Sequence, residues 1–433
     1  MVEKFDAIVI GAGPSGNAAT YTLAKQGLKV LQLERGEYPG AKNVQGGIMY
    51  AHELEKIIPD FRDDCPIERH IIEQRVWLLG DDNYVGTNYR SEAFNSDKPN
   101  RYTIIRANID KWWGEQIRKV GGLQICETTV TELIRDPSGK VIGVRTDREG
   151  GEIHADVVIM ADGVNALLAK RAGLQDEAAP ENVALAVKEI LFIDPELIQQ
   201  RFGIKEDEGV VIEIMGKVTK GMVGTAFLYT NKESLTIGIG CLISDFKNGS
   251  CPPYRMLEDL KKHPVIKPLI EGAEMKEYAA HMIPEGGYKA VPQLYGDGWM
   301  VVGDAAHFNN AAHREGSNLA MASGRMAAET VIELKAAGKG YSASNLAAYK
   351  KKLDDSFIMK DLKKYRELPG IMHGNKQFFG AYPDEITAAA HNWFTVDSVD
   401  KKTKEKQIMQ SFIKRRSVMG LVGDAIKLVR AVR

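Results

Sequence analysis

The sequence predicts an α/β protein with a Rossmann-like nucleotide-binding domain, a second domain built on an antiparallel sheet, and a helical C-terminal region. Three observations lead to this prediction. A glycine-rich turn joins an apolar run to a helical pattern at the N-terminus. Four apolar, β-branched runs with polar breaks follow in the middle of the chain. Basic and apolar residues interleave at helical spacing near the C-terminus. We place the domains at residues 1–180 with 290–340, at 181–289 and at 341–433.

The composition is that of an ordinary globular protein. The 433 residues are 44% hydrophobic and 27% charged, with a formal net charge of -1, so nothing indicates a nucleic-acid partner. The four cysteines are widely spaced, and the nearest pair, Cys241 and Cys251, lacks the spacing of a zinc or iron–sulfur site. The N-terminus has no signal-peptide pattern, and no apolar run approaches the ~20 residues of a membrane span. We therefore expect no metal and a cytoplasmic protein.

The N-terminal stretch FDAIVIGAGPSGNAATYTLAKQGLKVLQLERG has the order strand, glycine turn, helix, strand. The first glycine permits a tight turn, the second lets a pyrophosphate approach the backbone, and the third lets helix and strand pack closely. Glu34, at the end of the second strand, can accept hydrogen bonds from a ribose, and an acid there argues against NADP. The unit predicts that FAD or NAD binds at Gly11, Gly13, Pro14, Ser15, Gly16, Glu34 and Arg35.

Two later stretches favour FAD over NAD. Each is a buried strand that ends in an aspartate, in DVVIMADG and in WMVVGDAA. An aspartate in this place can bind the hydroxyls of a ribityl chain, which NAD lacks. A long helix rich in small residues then begins near Gly316, and its N-terminus offers N–H groups to the negative charge of a reduced flavin. From these stretches we assign to the cofactor Asp162, Gly163, Gly303, Asp304, Gly316, Ser317 and Asn318.

These motifs together resemble the FAD-dependent superfamily of aromatic hydroxylases, geranylgeranyl reductases and electron-transfer flavoprotein–quinone oxidoreductases, whose FAD domain is of the glutathione-reductase-2 or hydroxylase type. The stretches GAKNVQGG, YTIIRANIDKWWGEQIRKVGG and HMIPEGGYKAVPQLYGDGWMVVGDAA are similar to the FixC or EtfC family. Members of that family are flavoprotein subunits of electron-bifurcating FixABCX or EtfABCX complexes. The resemblance implies that Arg106 and Val130 also belong to the cofactor site.

The stretch PGAKNVQGG, residues 39–47, is rich in small residues directly after the second strand. The family resemblance implies that it lies against the flavin. Gly46 and Gly47 would leave room for backbone beside a flat ring, and Lys42 and Asn43 would supply hydrogen-bond donors. The alternative is a flexible surface loop, but the helical pattern AHELEKII that follows argues for an ordered segment.

The resemblance also implies a function and a set of partners. FAD would accept electrons from electron-transfer flavoprotein α/β-like subunits (FixB and FixA) and pass them to a quinone, either menaquinone or ubiquinone. This would be the high-potential branch of a bifurcating complex, at the inner face of the cell membrane. The chain lacks the four clustered cysteines of a ferredoxin-like region, so a separate ferredoxin-like iron–sulfur subunit (FixX) would carry the cluster. We assign no catalytic side chain.

The segment HFNNAAHREGSNLAMASG departs from the family pattern, because His307 stands where a glycine commonly follows GDAA. His307 and His313 are either structural or proton donors to the quinone. Three other functions remain open. A geranylgeranyl or other isoprenoid reductase is disfavoured by the absence of a YxWxFP pattern. An FAD-dependent monooxygenase reduced by NAD(P)H would also need no second nucleotide motif, and a flavin-bearing scaffold would show no turnover.

The C-terminus is locally basic, with ten Lys or Arg and two acids, Glu405 and Asp424, between residues 401 and 433. The stretch QSFIKRRSVMGLVGDAIKLVRAVR predicts one basic amphipathic helix. Such a helix either lies in an anionic lipid interface or docks on protein. In the second domain, Phe192, Phe227 and Tyr229 either line a pocket or belong to the core.

Overall fold

The computed structural model describes residues 4–41, 46–248 and 251–432. Lys42 and Asn43, which we assigned to the cofactor, lie outside the described residues. The chain divides into two compact units. The nucleotide unit comprises Met1–Glu68, Asn100–Asn182 and Met282–Lys364, and the sheet unit comprises Arg69–Pro99, Val183–His281 and Tyr365–Arg433.

Strands dominate the first two thirds of the chain, and helices dominate the last third. The strands are β1 Lys4–Ile10, β2 Val30–Leu33, β3 Gly46–Tyr50, β4 Ile67–Leu79, β5 Tyr84–Arg90, β6 Arg101–Ile105, β7 Leu123–Ile125, β8 Val130–Arg135, β9 Val141–Thr146, β10 Glu152–Met160, β11 Val183–Phe192, β12 Glu208–Gly216, β13 Gly224–Thr230, β14 Ser234–Leu242, β15 Glu274–Pro284, β16 Tyr295–Gly296 and β17 Trp299–Val301. The helices are α1 Pro14–Lys25, α2 Ala51–Ile57, α3 Arg106–Lys119, α4 Leu167–Arg171, α5 Pro195–Phe202, α6 Ile243–Asn248, α7 Pro253–Lys262, α8 Lys267–Ile270, α9 Ser317–Ala336, α10 Ala343–Asp355, α11 Phe357–Lys364, α12 Leu368–His373, α13 Ala381–Phe394, α14 Lys401–Arg415 and α15 Val418–Ala431.

A parallel sheet forms the centre of the nucleotide unit, with the order β17-β10-β1-β2-β7. Its strands are apolar runs without alternation, as expected where helices and other strands cover both faces. Ala7, Ile8 and Val9 of β1 are completely buried. The predicted Rossmann-like architecture is therefore confirmed. The first helix, α1, begins at Pro14, inside the glycine-rich turn motif.

The helices α1 and α9 pack against each other at very close range. A Cβ added at Gly324 of α9 would overlap the backbone carbonyl oxygen of Ser15 in α1. This contact explains the small residues of the α9 sequence, because only glycine permits two helix backbones to approach so closely. It also brings the start of α9 next to the glycine turn that precedes α1.

The sheet unit contains the predicted antiparallel strands in the order β11-β14-β13-β12. β15 flanks β11 at one edge, and β4 lies parallel to β12 at the other, with β5 beside it. The stretch 69–99 that contributes β4 and β5 was placed in the first domain by sequence, because long-range strand pairing leaves no local signal. Residues 341–364 likewise belong to the nucleotide unit, where Tyr349 is fully buried and donates to the carbonyl oxygen of Val301 at 2.9 Å.

The C-terminal stretch does not form one helix. The chain is extended at Arg416, and Ser417 begins a new helix by accepting a hydrogen bond from the N–H of Gly420 at 3.2 Å. The predicted amphipathic helix is thus divided into the end of α14 and the whole of α15. Hydrophobic periodicity alone missed this break, because a serine cap can interrupt a helix without a glycine or proline.

Candidate functional site

The glycine turn between β1 and α1 has the geometry of a phosphate-binding loop. Gly11 has φ +100°, and a Cβ there would overlap the carbonyl oxygen of Ala161. A Cβ at Gly16 would overlap the carbonyl oxygen of Gly11, so the turn and the first turn of α1 are in contact. Gly13 is the residue before α1, and Pro14 and Ser15 form its first turn. The N–H groups at the start of α1 are therefore available to an anion.

Glu34 follows β2, and its carboxylate binds the backbone of this turn. One of its carboxylate oxygens accepts a hydrogen bond from the N–H of Ala12 at 2.8 Å, and the other accepts from the N–H of Gly36 at 2.7 Å. These two bonds fix the carboxylate beside the turn and leave further lone pairs for a ribose. Ala12 and Gly36 were not predicted, since backbone donors carry no side-chain signal.

The second aspartate motif follows β10. Asp162 accepts a hydrogen bond from the N–H of Leu168 at 3.1 Å, while its other carboxylate oxygen is buried without a protein partner. Burial raises the pKa of this carboxyl, and the positive charges of Arg35 and Lys170 partly oppose the shift. Gly163 follows with φ +77°. A buried acceptor without a donor is the feature expected where a ligand hydroxyl or amine belongs.

The third motif places Gly303 against the first helix. Gly303 has φ +64°, its N–H donates to the Ser323 hydroxyl at 3.0 Å, and an added Cβ would overlap the Ser15 side chain. Asp304 is half-buried, and desolvation of its carboxyl raises its pKa to about 6 against the opposing charge of Arg106. Arg106 begins α3 and forms an ion pair with Asp110 at 2.7 Å. The structure therefore brings the first and third motifs together, with Arg106 near Asp304.

The N-terminus of α9 is connected to β3. The Ser317 hydroxyl donates to the backbone carbonyl of Ile48 at 3.2 Å. Gly46 and Gly47 are the first two residues of β3 and pair with β6, and a Cβ at Gly47 would meet no atom within 4 Å. Gly46 and Gly47 thus belong to a strand beside α9. Val130, the first residue of β8, pairs with Thr146 of β9 and contacts none of the glycine motifs through its backbone pairing.

Several buried acceptors around the N-terminus of α9 have no protein donor. Besides Asp162, the side-chain oxygens of Asn310 and Asn318 are buried without hydrogen-bond partners, and so is one ring nitrogen of His307. Burial lowers the pKa of His307, and the Lys170 charge acts in the same direction, so this imidazole is neutral at pH 7. The hydroxyls, the adenine amine and the ring N–H of FAD are donors that suit these acceptors. The residues present therefore fit FAD.

Sequence reasoning missed several polar residues of this region. Asn309 and Asn310 precede α9 in a tight loop, and Lys170 of α4 acts electrostatically on both Asp162 and His307. The repeated asparagines of HFNN were the available signal, because buried amides occur where many hydrogen bonds must be met. His307 adopts φ +58°, a conformation in which the glycine of the family pattern would be unstrained.

The aromatic residues of the sheet unit separate into two groups. Phe227 and Tyr229 of β13 stack with ring centroids 4.8 Å apart, and each is half-buried. A Cβ at Gly238 of β14 would overlap the Phe227 ring, so the glycine makes room for the aromatic side chain. Phe192, at the end of β11, is exposed and lines no such cluster.

The C-terminal helices present an apolar face to solvent. On α15, the side chains at helical spacing are between 48% and 85% exposed: Val418, Met419, Val422, Ile426 and Val429. The polar side of the same helix is turned inward, where the Asp424 carboxylate accepts hydrogen bonds from Arg416, Tyr382 and Gln377. Although burial opposes it, these bonds hold the pKa of Asp424 well below its ordinary value.

The charge around this apolar face is basic. On α14, the exposed charges other than Glu405 are Lys401, Lys402, Lys406, Lys414 and Arg415. Across the ranges 4–41, 46–248 and 251–432, no helix is long and apolar enough to cross a membrane. Within the same ranges, no group of three His, Cys, Asp or Glu side chains is arranged to hold a metal ion.

Comparisons with known proteins agree with the FAD site. A model of the FAD binding domain matches residues 4–352, and a model of the ETF-QO/FixC family C-terminal domain matches residues 368–433. The chain is 61% identical over 432 residues to Protein FixC of Azotobacter vinelandii, with 100% of both chains covered. It is 39% identical over 428 residues to a probable electron transfer flavoprotein-quinone oxidoreductase of Escherichia coli K12, with 98% of each covered.

A solved structure shows the same fold at low sequence identity. A geranylgeranyl bacteriochlorophyll reductase-like protein of Thermoplasma acidophilum superposes with a TM-score of 0.73 and 18% identity, covering 95% of this chain and 96% of that one. At this identity the likeness establishes the architecture alone. The FAD cofactor and the α/β fold predicted from the sequence are confirmed.

Proposed function

The chain belongs to the ETF-QO/FixC family of FAD-dependent oxidoreductases, and on this basis we propose that it takes electrons from a partner electron-transfer flavoprotein and delivers them to a membrane quinone. The name of the Escherichia coli relative, a probable electron transfer flavoprotein-quinone oxidoreductase, supports both the donor and the acceptor. We further propose that the chain is the high-potential branch of an electron-bifurcating complex. Its quinone is menaquinone or ubiquinone.

The observation that carries the quinone part of this proposal is the exposed apolar face of α15 beside the basic helix α14. A quinone with an isoprenoid tail partitions into lipid, so its reductase needs a surface that approaches a bilayer. An apolar helix face flanked by lysines has the composition of an interfacial helix on anionic lipid. This composition supports the proposal that the protein is peripherally associated with the cytoplasmic face of a membrane.

Bound FAD supplies the redox chemistry, which is the acceptance and release of electrons. The residues of the nucleotide unit hold it. The N–H groups at the start of α1 suit the pyrophosphate, Glu34 suits the ribose, and the half-buried carboxyl of Asp304 suits the ribityl hydroxyls. The N-terminus of α9 presents its N–H groups to the negative charge of a reduced ring.

The proposed partners are the two electron-transfer flavoprotein-like subunits and a separate ferredoxin-like iron–sulfur subunit. Burial raises the pKa of the Cys65 thiol and raises the pKa of Cys241 to about 12, so both buried thiols are protonated at neutral pH. The four cysteines of the sequence are widely spaced, which supports the proposal that the cluster of a bifurcating complex lies on the separate subunit.

An anaerobic absorbance titration of the purified holoprotein tests the proposal. We expect NADH and NADPH to leave the flavin band unchanged, reduced electron-transfer flavoprotein to bleach it, and a short-chain soluble quinone to restore it. Rapid bleaching by either nicotinamide alone would contradict the proposal and favour a monooxygenase. Bleaching by the flavoprotein without reoxidation by quinone would exclude the quinone as acceptor.

An isoprenoid reductase is the second candidate, because the geranylgeranyl bacteriochlorophyll reductase-like protein shares the fold. The same titration separates the two functions. Reoxidation of the reduced protein by a geranylgeranyl lipid, with loss of a C=C bond in the lipid, would favour the isoprenoid reductase over the quinone reductase.

A further inference from the structure

Glu285 is a half-buried acid that neither the cofactor site nor the proposed function uses. It follows the last residue of β15, and its backbone N–H donates to the carbonyl oxygen of Asn182 at 2.7 Å. Burial raises the pKa of its carboxyl to about 7, although the positive charge of Arg314 opposes the shift. The group therefore exchanges a proton near neutral pH.

Asn309 connects this acid to the start of α9. Its side-chain N–H donates to the carbonyl oxygen of Pro284 at 2.7 Å and lies 3.5 Å from a carboxylate oxygen of Glu285. Its side-chain oxygen lies beside Gly316, where an added Cβ would come within 3.1 Å of it. The Asn309 amide therefore lies between the Glu285 carboxyl and the residue that precedes α9.

A rigid loop provides a second connection. Asn310 and Glu315 exchange backbone hydrogen bonds of 2.8 and 3.2 Å, and the Glu315 carboxylate accepts from the Asn318 side chain at 3.0 Å. Arg314, the charged group that faces Glu285, sits on this loop with φ +55°. The charge opposite Glu285 is thus carried by a segment that is tied to the first turn of α9.

We propose that Glu285 is a positioning residue through which proton binding acts on the N-terminus of α9, so that the reduction potential of bound FAD depends on the protonation of this carboxyl. The charged group that acts on Glu285 is Arg314, whereas Asn309 and the carbonyl of Asn182 are neutral. Proton uptake removes a negative charge, so it weakens the electrostatic attraction to Arg314 and the hydrogen bond from the Asn309 side chain. Since a negative charge disfavours the addition of electrons, protonation favours reduced FAD.

This inference rests on FAD binding and on the predicted place of the cofactor at Gly316, Ser317 and Asn318. It does not depend on the identity of the electron acceptor. Failure of the quinone titration would therefore leave it standing, and its own failure would leave the quinone proposal standing.

The test is the midpoint potential of the holoprotein, measured by spectroelectrochemistry for the wild type and Glu285→Gln at about pH 5.5 and about pH 8.5, on either side of the carboxyl titration. We expect equal potentials at the lower pH and a higher potential for the variant at the higher pH. Because the flavin ionises in the same way in both proteins, the difference between their potentials at one pH does not contain the pH dependence of the flavin itself. A difference of the same size at both values, or no difference at either, would overturn the proposal.

Two further variants separate the proton effect from a structural one. Glu333→Gln removes an exposed acid of α9 that pairs with Lys352 at 2.7 Å. We expect the midpoint potentials of this variant to equal those of the wild type. Asn309→Ser removes the amide that lies between Glu285 and Gly316. We expect it to reduce the pH-dependent difference in potential while the apoprotein keeps its pH-dependent stability. An undiminished difference in Asn309→Ser would contradict the route through Asn309.

The apoprotein supplies a readout that needs no electron transfer. Because the pKa of Glu285 is raised on folding, its contribution to stability is fully present below pH 4.5 and is lost as the pH rises through about 7. Chemical unfolding of Glu285→Gln should therefore show a weaker decline of stability over that interval than the wild type. An identical decline in both proteins would show that Glu285 does not titrate there and would overturn the proposal.

Discussion

Gly16 has no room for a side chain, because the carbonyl oxygen of Gly11 occupies the place of its Cβ. A substitution must push α1 away from the turn or distort the turn itself, and either change moves the N–H groups that suit a phosphate. The absence of a side chain at Gly16 thus permits the packing of α1 against the turn that we assign to the cofactor.

For Gly16→Ala we expect FAD content to fall at least ~10-fold and the free energy of unfolding to fall by about 1–3 kcal/mol. Gly340→Ala is the control, because a Cβ there meets no atom within 4 Å. The measurements are the flavin-to-protein absorbance ratio after purification and chemical unfolding. Full FAD content in Gly16→Ala would contradict the inference that a Cβ at this position displaces the Gly11 carbonyl oxygen.

Asp304 is a second residue whose environment predicts a measurable effect. Its pKa is raised to about 6, so its contribution to stability is present below pH 3.8 and is lost as the pH rises through about 6. In the apoprotein, Asp304→Asn should therefore be more stable than the wild type at about pH 8, by up to ~3 kcal/mol, and equal to it at about pH 4.

The same variant should bind FAD more weakly, because it loses a carboxylate acceptor for the ribityl hydroxyls. Unfolding of the apoprotein at several pH values and a fluorescence titration with FAD measure the two effects. Asp136→Asn is the control, since hydrogen bonds from Ser138 lower the pKa of this exposed acid and its stability contribution has the opposite pH dependence. A pH-independent effect of Asp304→Asn would contradict the assigned cause.

The helix α15 is inverted relative to an ordinary surface helix. Its buried contacts are polar and centre on Asp424, which is bound by Arg416, Tyr382 and Gln377, whereas its apolar stripe faces outward. The Asp424 contacts hold the helix with its apolar stripe facing outward.

The double variant Val422→Ser and Ile426→Ser tests this surface. We expect binding to anionic vesicles to weaken roughly tenfold or more, because two apolar side chains no longer enter the lipid, while the free energy of unfolding changes by less than ~0.5 kcal/mol. Co-sedimentation with vesicles and thermal unfolding provide the measurements. Raised salt should weaken wild-type binding by screening the lysines of α14.

Met275→Ser is the matched control, since Met275 of β15 is also an exposed apolar residue and is 52% accessible. Its vesicle binding should equal that of the wild type. If the double variant sedimented with vesicles as well as the wild type does, the lipid-facing assignment of α15 would be wrong.

The division of the molecule into two units predicts which segments FAD binding stabilises. All assigned cofactor residues that the structure describes belong to the nucleotide unit, which has its own hydrophobic cores. Binding stabilises the state that binds, so the effect should be largest in the segments that form the site.

We expect FAD added to the apoprotein to raise hydrogen-exchange protection in α1, α9 and the turn after β10, and to leave α12–α15 nearly unchanged. Hydrogen exchange followed by mass spectrometry of peptides measures the protection of the site segments and of α12–α15 in one experiment. Non-hydrolysable ATP is the control ligand, because it shares the adenine and phosphates but lacks the flavin. Equal protection of α9 by ATP and FAD would contradict the place assigned to the flavin end.

The sequence alone determined the nucleotide unit, the antiparallel strands and the identity of the cofactor. These features rest on local chemistry. The turn has glycines where no Cβ fits, an acid follows the second strand, and the apolar runs must be buried. Tertiary structure decided what depends on distant residues. It joined β4 and β5 to the second sheet, brought Ser317 to the carbonyl of Ile48, and turned the apolar side of α15 outward. Such arrangements are set by long-range pairing and by buried polar contacts, which a one-dimensional pattern does not encode.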